Sequence, residues 1–563
     1  MERSYLEILS FNDIKVGLRC IHQLRYALNH RSKQYEGLPL SSLPHSSIAE
    51  SATDLSALHQ IRQDEMALEL FKTLHQDCYS PIVQGDETLG QIHDSTLRWF
   101  SSASLEEKQK NGILFPGILE SNRFYSADLL IQESNGSWTL YLVKAGSKIK
   151  ERYVQEADWI KRGFGIRGIS IHLVRLLLPS KDFLLDSTFN FVEYFEELSL
   201  THDLKHLRRN STALVTSIES KLTSTPSFIE LEGKSKSSIQ SIMCNFPSNC
   251  PICSQVFQDY EYYEPKTTRQ TQLDQPVKLD YSVFQLFRSG SLARKLHAEG
   301  IHDIRDIHKA PSYLKRELKE RHLIQAEAFR SGLPQIQSDQ LLNWFHHLSF
   351  PLEFLDFESF SSALPPFVQS QPWQPIPFAV SITRLIKWDD PLNNQVWVAE
   401  PGTDGRNQLV DLLVERFGSH SGSILVYGKE FEVSILKLLQ KQIQDRGKKE
   451  ELGRCVSRIV DVQDIFSQFM YYHPEQGAKI SLKNLVPLLT NGVQYKDLSI
   501  QDGAAASFGY FFHSFPDPKA RDKQLGKAEW QIFRKELEKY AALDTLGLAE
   551  IVIALQSMVT HLS

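Results

Sequence analysis

The sequence predicts a multidomain α/β protein, and three observations carry that reading. The chain has 563 residues, more than one hydrophobic core organises, and at roughly 150 residues per domain it makes three or four units. Its composition, 41% hydrophobic and 23% charged, is that of a soluble globular chain without Gly or Pro bias. Segments of strand-like and helix-like apolar period alternate in both halves, as layered sheets and helices require. The formal charge of −6 gives no global attraction to polyanions, so a nucleic-acid partner would need a local basic surface or metal ions.

Taken in order, the opening MERSYLEILSFNDIKVGLRC carries acidic residues early and no apolar core, so it does not read as a secretory leader. No apolar run approaches the roughly 18 residues that cross a bilayer. The expected location is the cytoplasm, without membrane contact. Residues 1–260 form the first expected domain. Helical patterning as in LHQIRQDEMALELFKTLHQ is followed by two strands in FYSADLLIQESNGSWTLYLVKAGS that turn at Asn135–Gly136. A helix in YVQEADWIKRGFG and a strand in SIHLVRLLLP complete an α/β unit. Residues 261–348 are charged and read as a helical connector, with a short helix, turn, helix element in HAEGIHDIRDIHKAP. From 349 to 563, three strands (LEFLDFESF, PFAVSITRLI, QVWVAEP) precede a helix, the strand SILVYG, the helix FEVSILKLLQKQIQ and a helical C-terminus. That order predicts a ribonuclease H-like mixed sheet.

The chemistry centres on PLEFLDFESFSSALPPF. On a strand, residues two apart share a face, so Asp356 and Glu358 project together while Phe357 points away. Two adjacent anions repel unless a divalent cation bridges them. Taken alone, an Asp-x-Glu tripeptide is expected by chance about twice in a chain of this acidity, and a solvated edge strand explains it as well. Glu432 opens the helix after SILVYG, where a carboxylate also simply suits the helix dipole. Asp544 stands four residues after Tyr540 in the apolar helix LEKYAALDTLGLAEIVIAL, with no basic partner one turn away, so a metal would supply its stabiliser.

Asp356-x-Glu358, then Glu432 after a strand, then Tyr540-x-x-x-Asp544 on a late helix resembles the motif order of the DEDD exonucleases, in the subclass whose third motif carries tyrosine. The stretch YYHPEQGAKISLKNLVPLLTNGVQYKDLSIQDGAAASFGYF, with FLDFESF, IPFAVS and YAALDT, is similar to a bacterial family catalogued as a domain of unknown function. That family joins a RecB-like nuclease domain to a DEDD-like one. The resemblance implies a metal-dependent 3′–5′ exonuclease acting on nucleic acid, single-stranded by expectation, with two divalent cations (Mg²⁺ or Mn²⁺) roughly 4 Å apart. Asp356, Glu358 and Asp544 would ligate the ions, Glu432 would act from the outer shell, Tyr540 would orient the attacking water, and Lys483 would contact phosphate. The pattern departs at the second motif, where the best-known members have Asp and this chain has Gly428 and Glu432. A catalytically inactive nucleic-acid-binding or scaffold protein of the same folds is the alternative.

SADLLIQESNGSWTLYLVKAGS resembles the core of PD-(D/E)XK nucleases of the RecB and CRISPR-associated type. Asp128 and Lys144 fall on motif positions, but Leu142 stands where the pattern has glutamate, and the helical glutamine is missing near Ala157–Asp158. The resemblance therefore implies a degenerate, inactive domain, unless an unrecognised carboxylate such as Glu133 serves. The same family brackets this core with four cysteines around a [4Fe–4S] cluster. Cys20, Cys244, Cys250 and Cys253 are the corresponding residues, with structural zinc or unmetallated thiols as alternatives because the late spacing departs from the pattern. Cys78 and Cys455 read as core thiols. Gly300 resembles the turn of a helix-hairpin-helix element, although a helix C-cap explains it too. His346–His347 lack a third ligand and receive no role. Trp373 and Trp397 could stack bases, although most such rings are core.

Overall fold

A computed structural model gives the fold. It describes residues 78–81, 89–120, 123–207, 213–214, 216, 281–490, 495, 498–515 and 527–560. Contacts divide the chain into two compact units, Met1–Tyr262 with Ser361–Gln374, and Tyr263–Phe360 with Pro375–Ser563. Each is α/β and each is built on a mixed sheet. Cys20, Cys244, Cys250 and Cys253 lie outside the described residues.

In the first unit, α1 (Leu89–Ser102) precedes β1 (Ile113–Leu114), β2 (Gly117–Glu120), β3 (Arg123–Ser126), β4 (Leu129–Gln132) and β5 (Trp138–Val143). Helix α2 (Glu151–Ile166), β6 (Ile171–Pro179) and β7 (Phe195–Ser199) follow. The sheet runs β1-β4-β5-β6-β7, parallel only between β5 and β6, and β2 pairs with β3 apart from it. The expected hairpin at Asn135–Gly136 joins β4 to β5. Helix α2 buries Tyr153, Val154, Ala157, Ile160 and Phe164 at helical spacing, and these meet Leu140, Leu142, Val174 and Leu176 of the sheet in one core. The segment Ser361–Gln374 belongs here: the Tyr194 hydroxyl donates to the Ala363 carbonyl (3.0 Å), the Leu185 N–H to that of Ser370 (3.0 Å), and the Trp373 indole to that of Ala145.

The second unit begins with short helices, among them α3 (Glu320–Ser331), whose Ala326, Ala328 and Phe329 share a core with Leu296, Ile304, Ile307, Phe469 and Tyr472. The HAEGIHDIRDIHKAP element forms a helix over Leu292–Ala298, a turn at Gly300 (φ +79°) and a 3-10 helix over Ile304–Lys309. Strand β8 (Gln335–Ile336) leads to β9 (Leu352–Phe360), β10 (Ile376–Leu385) and β11 (Asn393–Val398). Then come α4 (Arg406–Phe417), β12 (Ile424–Val426), α5 (Lys429–Gln442), α6 (Arg446–Ser457) and β13 (Ile459–Asp461). The chain closes with β14 (Tyr471–Tyr472), α7 (Leu482–Leu489), α8 (Gly503–Ser514) and α9 (Lys527–Thr560). The main sheet is ordered β11-β10-β9-β12-β13, with antiparallel pairs β11–β10–β9 and parallel pairs β9–β12–β13. β14 pairs only with β8.

The central strand β9 uses its two faces differently. Leu355 and Phe357 enter a core with Val380, Ile382, Leu409, Leu413, Ile435 and Leu439, which comes from β10, α4 and α5. The alternate residues, Asp356 and Glu358 among them, face the side on which α8 and α9 pack. Contrary to the expectation that no segment is long and apolar enough to cross a bilayer, α9 meets that test over Ala528–Thr560, with half of its most apolar window buried. In this unit its buried face covers the sheet.

Candidate functional site

Strand period puts Asp356 and Glu358 on one face of β9, and α9 delivers the third acid. Thr545, the residue after Asp544, is tied down by a buried polar knot. Its hydroxyl lies 2.7 Å from that of Ser381 and 2.8 Å from that of Thr383 on β10, while the Asn394 amide of β11 faces all three oxygens at 2.8–3.1 Å. Ser381 stands opposite Asp356 in the β10–β9 register, so this knot fixes α9 over the acid pair. As a result Asp356, Glu358 and Asp544 each offer an oxygen, and the three lie within 4.8 Å of one another.

One phenol holds Asp544. Tyr495 donates to its Oδ1 at 2.6 Å, and the Tyr540 hydroxyl, one turn earlier on α9, lies close by. The two rings meet edge to face with centroids 6.3 Å apart. Lys483 on α7 reaches the same corner, its Nζ 5.3 Å from the Tyr540 ring centre and 5.7 Å from that of Tyr495, and it donates to the Gln501 carbonyl at 2.5 Å.

Glu432 is 3% exposed and its Oε2 is buried without a hydrogen-bond partner. It stands outside the cluster of three oxygens but close enough that its charge raises Asp356 and Glu358. Its position is set by a turn between β12 and α5. Gly428 takes φ +91° there, a conformation that glycine adopts without the Cβ penalty. Asp461 at the end of β13 accepts hydrogen bonds from the Gly428 N–H (2.9 Å), the Lys429 N–H (3.0 Å) and the Gln463 N–H (2.9 Å), which fixes the start of α5.

The electrostatics follow from crowding anions in a dry site. Burial, then the charges of Asp544, Glu358 and Glu432, pushes Asp356 well above the usual carboxylate range. Burial and then Asp544 raise Glu358 to about 8, against the opposing charge of Lys483. Burial alone outweighs the rest for Glu432, also raised to about 8. Asp544 rises only to about 6, because the Tyr495 hydrogen bond, the charge of Lys483 and the nearby Tyr540 hydroxyl offset its burial. Such a set is costly unless protons or a cation compensate it. The donor set is all oxygen, which suits hard divalent cations such as Mg²⁺ or Mn²⁺.

The residues expected at the site thus converge, with Glu432 at its edge. Tyr495, Asp461 and Thr545 were not read from the sequence. An Asp that ends an apolar strand before a helix is a capping signal for Asp461. For Tyr495, 49 residues before Asp544 in sequence, no local signal exists.

In the first unit, Lys144 lies 3.8 Å from Asp128 and 3.1 Å from Glu156 of α2, and Asp128 also accepts from the Val143 N–H at 2.7 Å. The helical residue that reaches this spot is Glu156; Ala157 is buried and Asp158 pairs with Arg162. Leu142 is wholly buried in the core. Glu133 binds the Thr139 hydroxyl instead. Cys455 is a core thiol, raised by burial to about 11, and the Cys78 thiol donates to the Asn111 carbonyl. Trp397 packs against the core of the main sheet.

Comparison with known proteins gives one family: a model described as a domain of unknown function (DUF2779) matches residues 353–481, from β9 to the residue before α7. No curated protein and no solved structure matches.

Proposed function

We propose that the second unit is a metal-dependent nuclease of ribonuclease H-like fold, a 3′–5′ exonuclease of the DEDD type acting on single-stranded nucleic acid. The observation that supports it is the convergence of three carboxylates, half-buried Asp356 and buried Glu358 from the central strand and buried Asp544 from α9, with the Tyr495 hydroxyl on the third. Ions at such a site supply Lewis-acid activation of water and neutralise charge at the leaving oxygen. The chain's own groups do the rest. Asp356, Glu358 and Asp544 would hold the ions, and Tyr495 holds the Asp544 carboxylate in orientation. Tyr540 presents a hydroxyl where the attacking water must be aligned. Glu432, whose Oε2 has no partner in the structure, would act from the outer shell, a role that glutamate fills as well as aspartate. Lys483 contributes the positive charge that a phosphodiester meets. The first unit, where an ammonium lies between two carboxylates and Leu142 replaces a ligand, is read as a non-catalytic PD-(D/E)XK relative.

The test is degradation of 5′-labelled single-stranded DNA and RNA by the full chain with Mn²⁺ or Mg²⁺. The expected product is a ladder shortening from the 3′ end, with Asp356→Ala and Asp544→Ala slower by about 10³-fold, the scale of a lost metal contribution. Equal degradation by all three proteins, or none by any, overturns the assignment and leaves a binding or scaffold role. Activity lost in Asp128→Ala but kept in Asp356→Ala moves the chemistry to the first unit.

A further inference from the structure

We propose that the first turn of α8 is the seat of a substrate phosphate oxygen, held by the backbone N–H groups of Gly503 and Ala504 in front of Glu358. The inference rests on the nuclease reading, because a phosphate beside Glu358 needs cationic charge between the two anions. Three observations meet there. Gly503 has a φ outside the left-handed region, so its backbone does not call for glycine. A Cβ built on it meets only Glu358 Oε2 at 3.4 Å and Tyr540 Oη at 4.0 Å. Both atoms belong to the acid site, so what the missing side chain keeps open is space in that site.

Glu358 is 8% exposed, and among the described residues its carboxylate accepts no hydrogen bond. A carboxylate so buried calls for a ligand. Finally, α8 is a 12-residue helix capped by Asp502, whose side chain takes the Ala505 N–H at 2.8 Å and whose carbonyl takes the Ala506 N–H at 3.0 Å. The N–H groups of Gly503 and Ala504 have no partner among the described residues. Two unengaged amides on a helix dipole form an anion seat, and the neighbouring Lys483–Gln501 bond ties this corner to α7.

The experiment titrates the full chain, first with Mn²⁺ and then with thymidine 5′-monophosphate in the presence of Mn²⁺, by calorimetry. Gly503→Ala adds a methyl at ordinary contact distance, and Gly503→Pro deletes one N–H at the helix position where proline is favoured. Both variants are expected to keep Mn²⁺ affinity within about twofold and to bind the nucleotide about 10-fold more weakly, the scale of one charge-assisted hydrogen bond. Inorganic phosphate is expected to compete with the nucleotide. Wild-type nucleotide affinity in both variants overturns the proposal, as does failure of phosphate to compete. So does unfolding of Gly503→Ala, which would show the space to be structural. Absence of Mn²⁺ binding by the wild type instead overturns the nuclease reading itself.

Discussion

Asp544 accepts a hydrogen bond from the Tyr495 hydroxyl, with the Tyr540 phenol close by, and this separates it from the other acids of its cluster. A hydroxyl donor to one oxygen of a ligating carboxylate fixes which oxygen remains for the ion. Tyr495→Phe keeps the ring, its edge contact with Tyr540 and its face toward Lys483, and removes only the donor. The expected result is Mn²⁺ affinity weaker by about 10- to 100-fold, read by electron paramagnetic resonance, with unchanged circular dichroism. Unchanged affinity would make Tyr495 a packing residue. At this scale the sequence was readable where chemistry is local. Asp356 and Glu358 share a strand face, and Tyr540 and Asp544 share a helix face, by period alone. Tyr495, Thr545 and Glu156 act through partners far away in sequence, and no period reports such pairs.

The elements explain why the acids stay where they are. β9 fills one core with Leu355 and Phe357 on one face, and on the other it sets Asp356 and Glu358 between the buried Phe354 and Phe360. α9 is held to that face by Thr545, and α5 begins where Asp461 gathers three backbone N–H groups. Asp461→Ala would leave those donors buried or half-buried without an acceptor, at a cost of about 1–3 kcal/mol. The expected consequence is a lower midpoint in urea unfolding together with slower turnover, because Glu432 loses its fixed turn, while Mn²⁺ affinity at the cluster of three oxygens holds. Loss of that affinity would mean that Asp461 supports the acids directly. The strands and helices of the second unit were largely legible, since short apolar runs bounded by turn residues and amphipathic helices have distinct patterns, and β9 and β10 are buried on both faces. β1, β2 and β3 were not, because two to four residues are too few to show a period. Nor could patterning show that Ser361–Gln374, lying between β9 and β10 in sequence, packs with the first unit.

On the scale of the whole molecule, the acid cluster ties stability to protons, and the proposed cation would tie it to metal as well. Glu358 and Glu432 both rise from 4.5 to about 8 on folding. Between these values the folded chain holds protons that the unfolded chain has released, so the stability contributed by these groups falls as pH rises through that window and is lowest above it. A divalent ion held by the cluster would bind its deprotonated form, so its effect would run the other way and grow with pH. At an ion concentration 100 times its dissociation constant the gain is about 2.7 kcal/mol. Thermal unfolding of chelated protein from about pH 5 to about pH 8 should therefore show a midpoint that declines. The decline should be shallower in Glu432→Gln, which keeps the volume of the group and removes its charge, and Mn²⁺ should restore the wild-type midpoint most at the alkaline end. A Mn²⁺ gain that is independent of pH, or a Glu432→Gln profile parallel to the wild type, would mean that the cluster does not titrate as a unit with its ion and would remove the electrostatic basis for a metal centre between β9 and α9.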